Sequence, residues 1–258
     1  MSQNYYIAKI FLRRCKVDIR INDVPLMKGE IDGDTTVQRP INHLIEASGI
    51  QKLTAAIFPI SGDLALPKGV QCSIEIWKCD GSGLKIMPLN VICSISLGCD
   101  DLMILPLSTE DCKMFAAEVD YQIDRWKSCE RLPVSKDFNQ KVIAFYKNVA
   151  KLLTTRQFDK YAQLINHREY NICCAMYLGE EEVERRQTML VECFNNNFEM
   201  LPLTGHKKLQ YYADRRLVSI INDDMKSALQ FINHETGEVL SVDLMLGFRL
   251  GEKVLSVI

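Results

Sequence analysis

RLPVSKDFNQKVIAFYKNVAKLLTT, residues 131–155, is where the chain changes its period. From Val142 onward, Val142, Phe145, Tyr146, Val149, Leu152 and Leu153 recur three and four residues apart. That spacing puts apolar side chains on one face of an α-helix. Pro133 closes what precedes it. Asp137 followed by Gln140 has capping-box spacing, with Asp in the usual place of Ser or Thr, and predicts the helix start.

Upstream of this stretch the period is two. Val17, Ile19 and Ile21 alternate with Asp18 and Arg20, the signature of a half-buried strand. Short β-rich runs are expected at Tyr5–Leu12, Lys16–Ile21, Thr35–Ile41, Lys52–Phe58, Val70–Lys78, Leu84–Leu97 (with a break at Pro88) and Lys113–Trp126. The turn signals NDVP, DGD, SGD, PKG and CDGSG separate them. About eight short strands without a long helix predict an all-β sandwich or jelly roll over residues 1–133.

Downstream, a second helix is expected over Arg156–Ile165. It should bury Phe158, Tyr161, Ala162 and Ile165 and be capped by Asn166. Residues 169–178, EYNICCAMYL, fit either a short buried strand or a buried turn of helix. A third helix follows Gly179, with Glu180, Glu181 and Glu182 at the positive end of its dipole. Val183, Leu190, Val191 and Phe194 should form its buried side, and the asparagines at 195–197 should stop it. Four antiparallel strands are then expected, at Leu209–Ile221, Ser227–Asn233, Val239–Phe248 and Lys253–Val257. A hairpin turn at NHETGE relies on Gly237 for positive φ. The prediction for residues 134–258 is an α+β domain with three helices packed on an antiparallel sheet.

This order and length resemble the NTF2-like cone superfamily, in which three helices pack on a curved sheet. The resemblance implies a concave pocket whose role ranges from catalysis to ligand binding, oligomerisation or toxin neutralisation. In the first half, RPINHLIEASGIQKLTAAIFP, with Pro40, Asn42, Gly49 and Pro59 around a bend and a strand, is similar to a segment of galactose-binding-like β-sandwiches. That similarity favours the jelly-roll reading.

Composition narrows the function. The 258 residues carry 31 Lys and Arg against 33 Asp and Glu, a formal net charge of −2. Both halves are balanced, so no basic surface is expected to neutralise nucleic-acid phosphates. No stretch has the roughly 18 apolar residues needed to cross a bilayer, and the N-terminus lacks the pattern of a signal peptide. The ten cysteines are scattered, with no C-x-x-C pair. They read as reduced, largely buried thiols of a cytoplasmic protein. No cofactor and no metal site is expected.

INH occurs three times, at residues 41–43, 165–167 and 232–234, and holds three of the four histidines. The three contexts differ, so the recurrence reads as a preference of Asn-His pairs for turns and element ends. His206 reads as a loop residue. Nucleophile elbows and Gly-rich phosphate loops are missing. Cys173 and Cys174 sit in an apolar run, where a thiol is inert. In the run 239–248, Leu240, Val242, Leu244, Leu246 and Phe248 share one parity and should face the helices. Asp243 falls on the outer face, and an outer face carrying Val239 and Met245 suits a homodimer.

The candidate pocket residues are therefore Tyr211, Tyr212, Asp214 and His167. The candidate partner surface is Glu180, Glu181, Glu182, Glu184, Arg185 and Arg186, a charged helix face. Trp77 and Trp126 would serve carbohydrate binding only if exposed beside a groove. The sequence leads to a non-enzymatic cytoplasmic protein–protein interaction module with no nucleic-acid or membrane partner. Its sharpest form is an immunity-type protein that neutralises a toxin. The alternative is a small-ligand binder or enzyme using the C-terminal cone pocket.

Overall fold

The computed structural model describes residues 3–81, 86–98, 107–195, 197–203 and 207–258. Within α3, introduced below, the side chains of residues 180, 187, 189–190 and 193–195 are outside the description. His206 and most of the GSG turn at 81–83 also lie outside the described residues. The chain divides into two compact units, Met1–Ile123 and Asp124–Ile258.

The first unit is a curled antiparallel sheet built on one long strand, β1 (Asn4–Ile21), and its hairpin partner β2 (Val24–Pro40). The runs expected as two separate strands at 5–12 and 16–21 are continuous. Arg14 takes a left-handed φ of 48° at the point where the β1–β2 register shifts. Opposite it, Gly33 sits at φ 121°, a conformation that side chains rarely tolerate. This corner lets one strand serve two halves of the sheet. Residues 4–13 of β1 pair with β4 (Gln71–Asp80), and residues 16–21 pair with β3 (Gly49–Phe58). β5 (Met87–Gly98) extends the first half from β4, and β6 (Thr109–Ala117) extends the second from β3. Pro88 does not break β5. Two register shifts against β4 accompany it, between Ile76 and Trp77 and between Lys78 and Cys79. The NDVP turn has Asn22 and Asp23 at φ 54° and 62°, as a two-residue hairpin loop requires.

Period-2 alternation decides what faces the core. Ala8, Ile10, Leu12, Val17, Ile19, Ile21, Leu53, Ile57, Ile74 and Ile76 are fully buried. Asn42 is buried too, in a 3-10 turn at Asn42–Leu44. Its Oδ1 accepts from Tyr6 N at 2.7 Å and its Nδ2 donates to Asn4 O at 3.1 Å, while Tyr121 Oη donates to its carbonyl at 2.7 Å. The first INH is thus a structural pin. Trp126 is not in a strand as expected. β6 stops at Ala117, and Trp126 lies in a 3-10 turn of the second unit, only 3% exposed.

The second unit opens with α1 (Lys136–Thr154), α2 (Phe158–Ala175) and α3 (Glu180–Asn195). The α1 cap is Ser135, whose hydroxyl accepts from Phe138 N, rather than Asp137, which falls in the first turn. Val142, Tyr146, Val149, Leu152 and Leu153 are buried as their spacing predicts. α2 runs ten residues past its expected end, and the ambiguous stretch 169–178 is mostly helix. Nothing at Asn166 breaks the backbone ladder, and Asn166 lies inside the helix. Ala162 is exposed, and Leu164 packs on the core in its place.

Seven short strands follow: β7 (Phe198–Met200), β8 (Lys208–Tyr212), β9 (Leu217–Ile221), β10 (Gln230–Asn233), β11 (Val239–Ser241), β12 (Leu246–Phe248) and β13 (Leu255–Val257). They form two antiparallel sheets, ordered β11-β10-β7 and β13-β12-β9-β8. The run 239–248, expected as one strand, is split between the two. Its inward parity survives the split, since Val242, Leu244 and Leu246 are buried and Asp243 is exposed. Val239 is exposed in β11, and Met245 lies between the strands. Where the ladder is interrupted, Tyr146 replaces it. Its hydroxyl donates to Leu244 O at 2.8 Å and accepts from Ile220 N at 3.0 Å. Burial pushes the Tyr146 phenol up, away from ionisation. In the third INH, Asn233 Oδ1 accepts from Glu235 N and Thr236 N, forming the NHETGE turn, with Gly237 at φ 73°.

Candidate functional site

The outward face of the first half of the curled sheet holds the mixed groove of the first unit. Residues of one parity on β1 point outward: Ile7, Lys9, Phe11 and Arg13. Ladder register places Trp77 beside Ile7, Glu75 beside Lys9, and Ser73 beside Phe11 on β4. β5 continues the rows with Val91 beside Trp77, Ser94 beside Glu75 and Ser96 beside Ser73. On the other side β2 supplies Gln38 beside Lys9. Two adjoining hollows of about 430 and 290 Å³ share Lys9 on this face. The first is lined by Phe11, Ser73, Glu75, Ser94 and Ser96. The second is lined by Ile7, Gln38, Trp77, Ile86 and Pro88. These volumes are in the range of small-ligand sites.

Local contacts fix the side chains. Trp77 is half-buried, and its indole N–H donates to Glu75 Oε2 at 3.0 Å, so the ring lies along β4. Arg13 sits 5.4 Å above the Phe11 ring and is held by two hydrogen bonds to Asp34, at 2.8 and 2.7 Å. Ser73 and Ser96 hydroxyls are 3.4 Å apart. Beyond Trp77, the start of β5 and the residue before it form an apolar strip. Ile86 is 42% exposed, Met87 and Leu89 59% each, and Val91 41%.

The four candidate pocket residues of the second unit have different surroundings. Tyr212 is buried. Tyr211 is half-buried and its hydroxyl reaches Pro133 O at 3.4 Å, while burial pushes its phenol up. Asp214 is exposed and ion-paired with Arg131. His167 lies on α2 beside Asp124, with Nε2 3.8 Å from Asp124 Oδ2. Asn171 accepts from Asp124 N with Oδ1 and so directs its Nδ2 to Asp124 O and to His167 Nδ1. That assigns the ring proton of neutral His167 to Nε2. Burial, reinforced by Arg249, holds His167 below the usual histidine range. Ser128 Oγ donates to the same Asp124 carboxylate. The order is therefore Ser–Asp–His, with the carboxylate in the middle. Acyl transfer needs the imidazole between hydroxyl and carboxylate, so this cluster is not arranged to activate Ser128.

The charged face of α3 is largely self-neutralised. Arg185 binds both Glu182 oxygens, at 2.7 and 2.6 Å, and Arg186 reaches Glu169 on α2 at 3.1 Å. Glu181 and Glu184 are exposed, and the Glu180 side chain lies outside the description. The Cys173 thiol is buried and pushed up by desolvation. Cys15 and Cys72, in the core of the first unit, are pushed up to about 11 and about 12 by burial. Among the described residues, no three His, Cys, Asp or Glu side chains gather to hold a metal ion. No described helix is long and apolar enough to cross a membrane.

No protein-family model, curated protein or solved structure matches the chain. The outward face is the feature that sequence reasoning only touched, through Trp77. The alternation of Lys9 and Phe11, of Ser73, Glu75 and Trp77, and of Ser94 and Ser96 was visible strand by strand. Their meeting depends on pairing that no local signal specifies.

Proposed function

We propose that the chain is a non-catalytic protein-interaction module that recognises a protein partner through the apolar strip Ile86, Met87, Leu89 and Val91 at the entry to β5. The observation that carries this reading is the exposure of four large apolar side chains within six residues, Ile86 just before β5 and Met87, Leu89 and Val91 on it. Scattered apolar exposure is ordinary, whereas a contiguous patch rimmed by polar residues marks an interaction surface. Pro88 removes a backbone donor and the two register shifts twist the strand, which discourages simple edge-to-edge pairing. Side chains rather than backbone would then carry recognition. In this reading the first unit is a jelly-roll sandwich, the second an NTF2-like fold, and the compartment is the reducing cytoplasm. The sharpest form of the partner is a toxin that the protein blocks. A ligand or enzyme reading centred on Tyr211, Tyr212, Asp214 and His167 draws less support, because their neighbours differ and Tyr146 fills the core between helices and strands.

The test is affinity capture from the native host at natural expression, followed by reconstitution with the purified partner. Met87→Asp combined with Leu89→Asp should weaken binding by at least tenfold while both units stay folded. Unchanged binding by the double variant, or no stoichiometric partner at all, would overturn the reading.

A further inference from the structure

The groove beside the strip has a different chemistry, and we propose that it binds a neutral oligosaccharide. A pyranose ring presents an apolar C–H face and a rim of hydroxyls that both donate and accept. A matching site needs an aromatic surface already in place, with donors and acceptors alternating nearby. Trp77 supplies the surface at one end, and its N–H bond to Glu75 sets the ring before any ligand arrives. Pre-setting the ring lowers the ordering cost of binding. Phe11 supplies an apolar surface at the other end, held under Arg13. Along β1 the Ile7 and Phe11 rows are four residues apart, about 13 Å at ~3.3 Å per residue. That is room for more than one sugar ring.

Between the aromatics the lining is polar and neutral in sum. Lys9 and Glu75 are direct ladder neighbours, so their charges offset each other. Gln38, Ser73, Ser94 and Ser96 add uncharged donors and acceptors. An anionic ligand would meet Glu75 beside Lys9, and a cationic one would meet Lys9 beside Glu75. A purely apolar ligand would strand the serines. A polyhydroxylated ligand without charge satisfies all of them.

Isothermal titration of the intact protein with cellohexaose, xylohexaose, mannohexaose, chitohexaose and maltohexaose tests this. At least one should bind. Trp77→Ala should weaken it by at least tenfold, and Ser94→Arg, which fills the groove from an exposed position without touching the core, should do the same. Circular dichroism should show both variants folded. The Met87→Asp, Leu89→Asp double variant should keep sugar binding, and Ser94→Arg should keep a protein partner held by the strip, so the two readings fail separately. No binding of any of the five at millimolar concentration overturns the proposal. So does binding that both groove variants leave unchanged, or binding confined to acidic glycans such as heparin.

Discussion

Removing a single oxygen, in Tyr146→Phe, should destabilise the second unit far more than its size suggests. The ring stays in the same buried site, 1% exposed. What is lost is the hydroxyl that bridges Leu244 O and Ile220 N. Both backbone groups lie where no strand ladder replaces the bond, and an unsatisfied buried polar group costs about 1–3 kcal/mol. Two such groups put the loss at about 2–6 kcal/mol. With a urea slope of about 2 kcal/mol/M, the unfolding midpoint should fall by about 1–3 M. The two units need not unfold together, so the probe must be specific. Each unit holds one of the two tryptophans, Trp77 in the first and Trp126 in the second. Fluorescence in a Trp77→Phe background therefore reports the second unit alone. Tyr170→Phe, at a position 70% exposed on α2, is the control and should stay within about 0.5 kcal/mol. A Tyr146→Phe loss no larger than the control would show that the two backbone groups find other partners, and the bridging role would be wrong.

Gly247→Ala should cost about 1–3 kcal/mol by overpacking. A Cβ there would stand 3.0 Å from Arg216 O, 3.1 Å from Ile258 Cγ1 and 3.2 Å from Cys129 Sγ. The same fluorescence signal measures it, and an unchanged midpoint would contradict the close packing. Lowering the pH from 7.5 to 5.5 should weaken the second unit through His167. Its folded pKa is depressed by burial, so the unfolded chain takes up the proton first. The stability is present above about 6.5 and is lost as the pH falls through the folded value. His167→Gln should flatten that slope, and an identical slope in the variant would assign the effect to other groups.

Local periodicity carried much of the fold into the sequence. The switch from period two to period 3.6 near residue 133 separates β-rich from helical chain, and the stripe from Val142 to Leu153 is the buried face of α1. Long-range choices were not legible. Arg14 gives no sign that it will adopt positive φ, so one bent strand reads as two. The alternation of Leu240, Val242, Leu244 and Leu246 continues unbroken through a change of sheet, because burial keeps its rhythm where backbone pairing stops. α2 lacks a stop signal at Asn166, so the helix continues to Ala175. The groove was half-legible for a related reason: parity is written in each strand, but adjacency is decided by the fold.

The bend at Arg14 has a consequence for how the first unit comes apart. Over most of its length β1 is hydrogen-bonded along both edges, first between β2 and β4 and then between β2 and β3. One covalent strand is therefore the middle of both halves of the sheet. Neither half can open while the other stays closed without breaking that strand's own ladder. Deuterium exchange along residues 8–20 should then occur only through loss of the whole unit, so the amides on either side of the corner share one opening free energy.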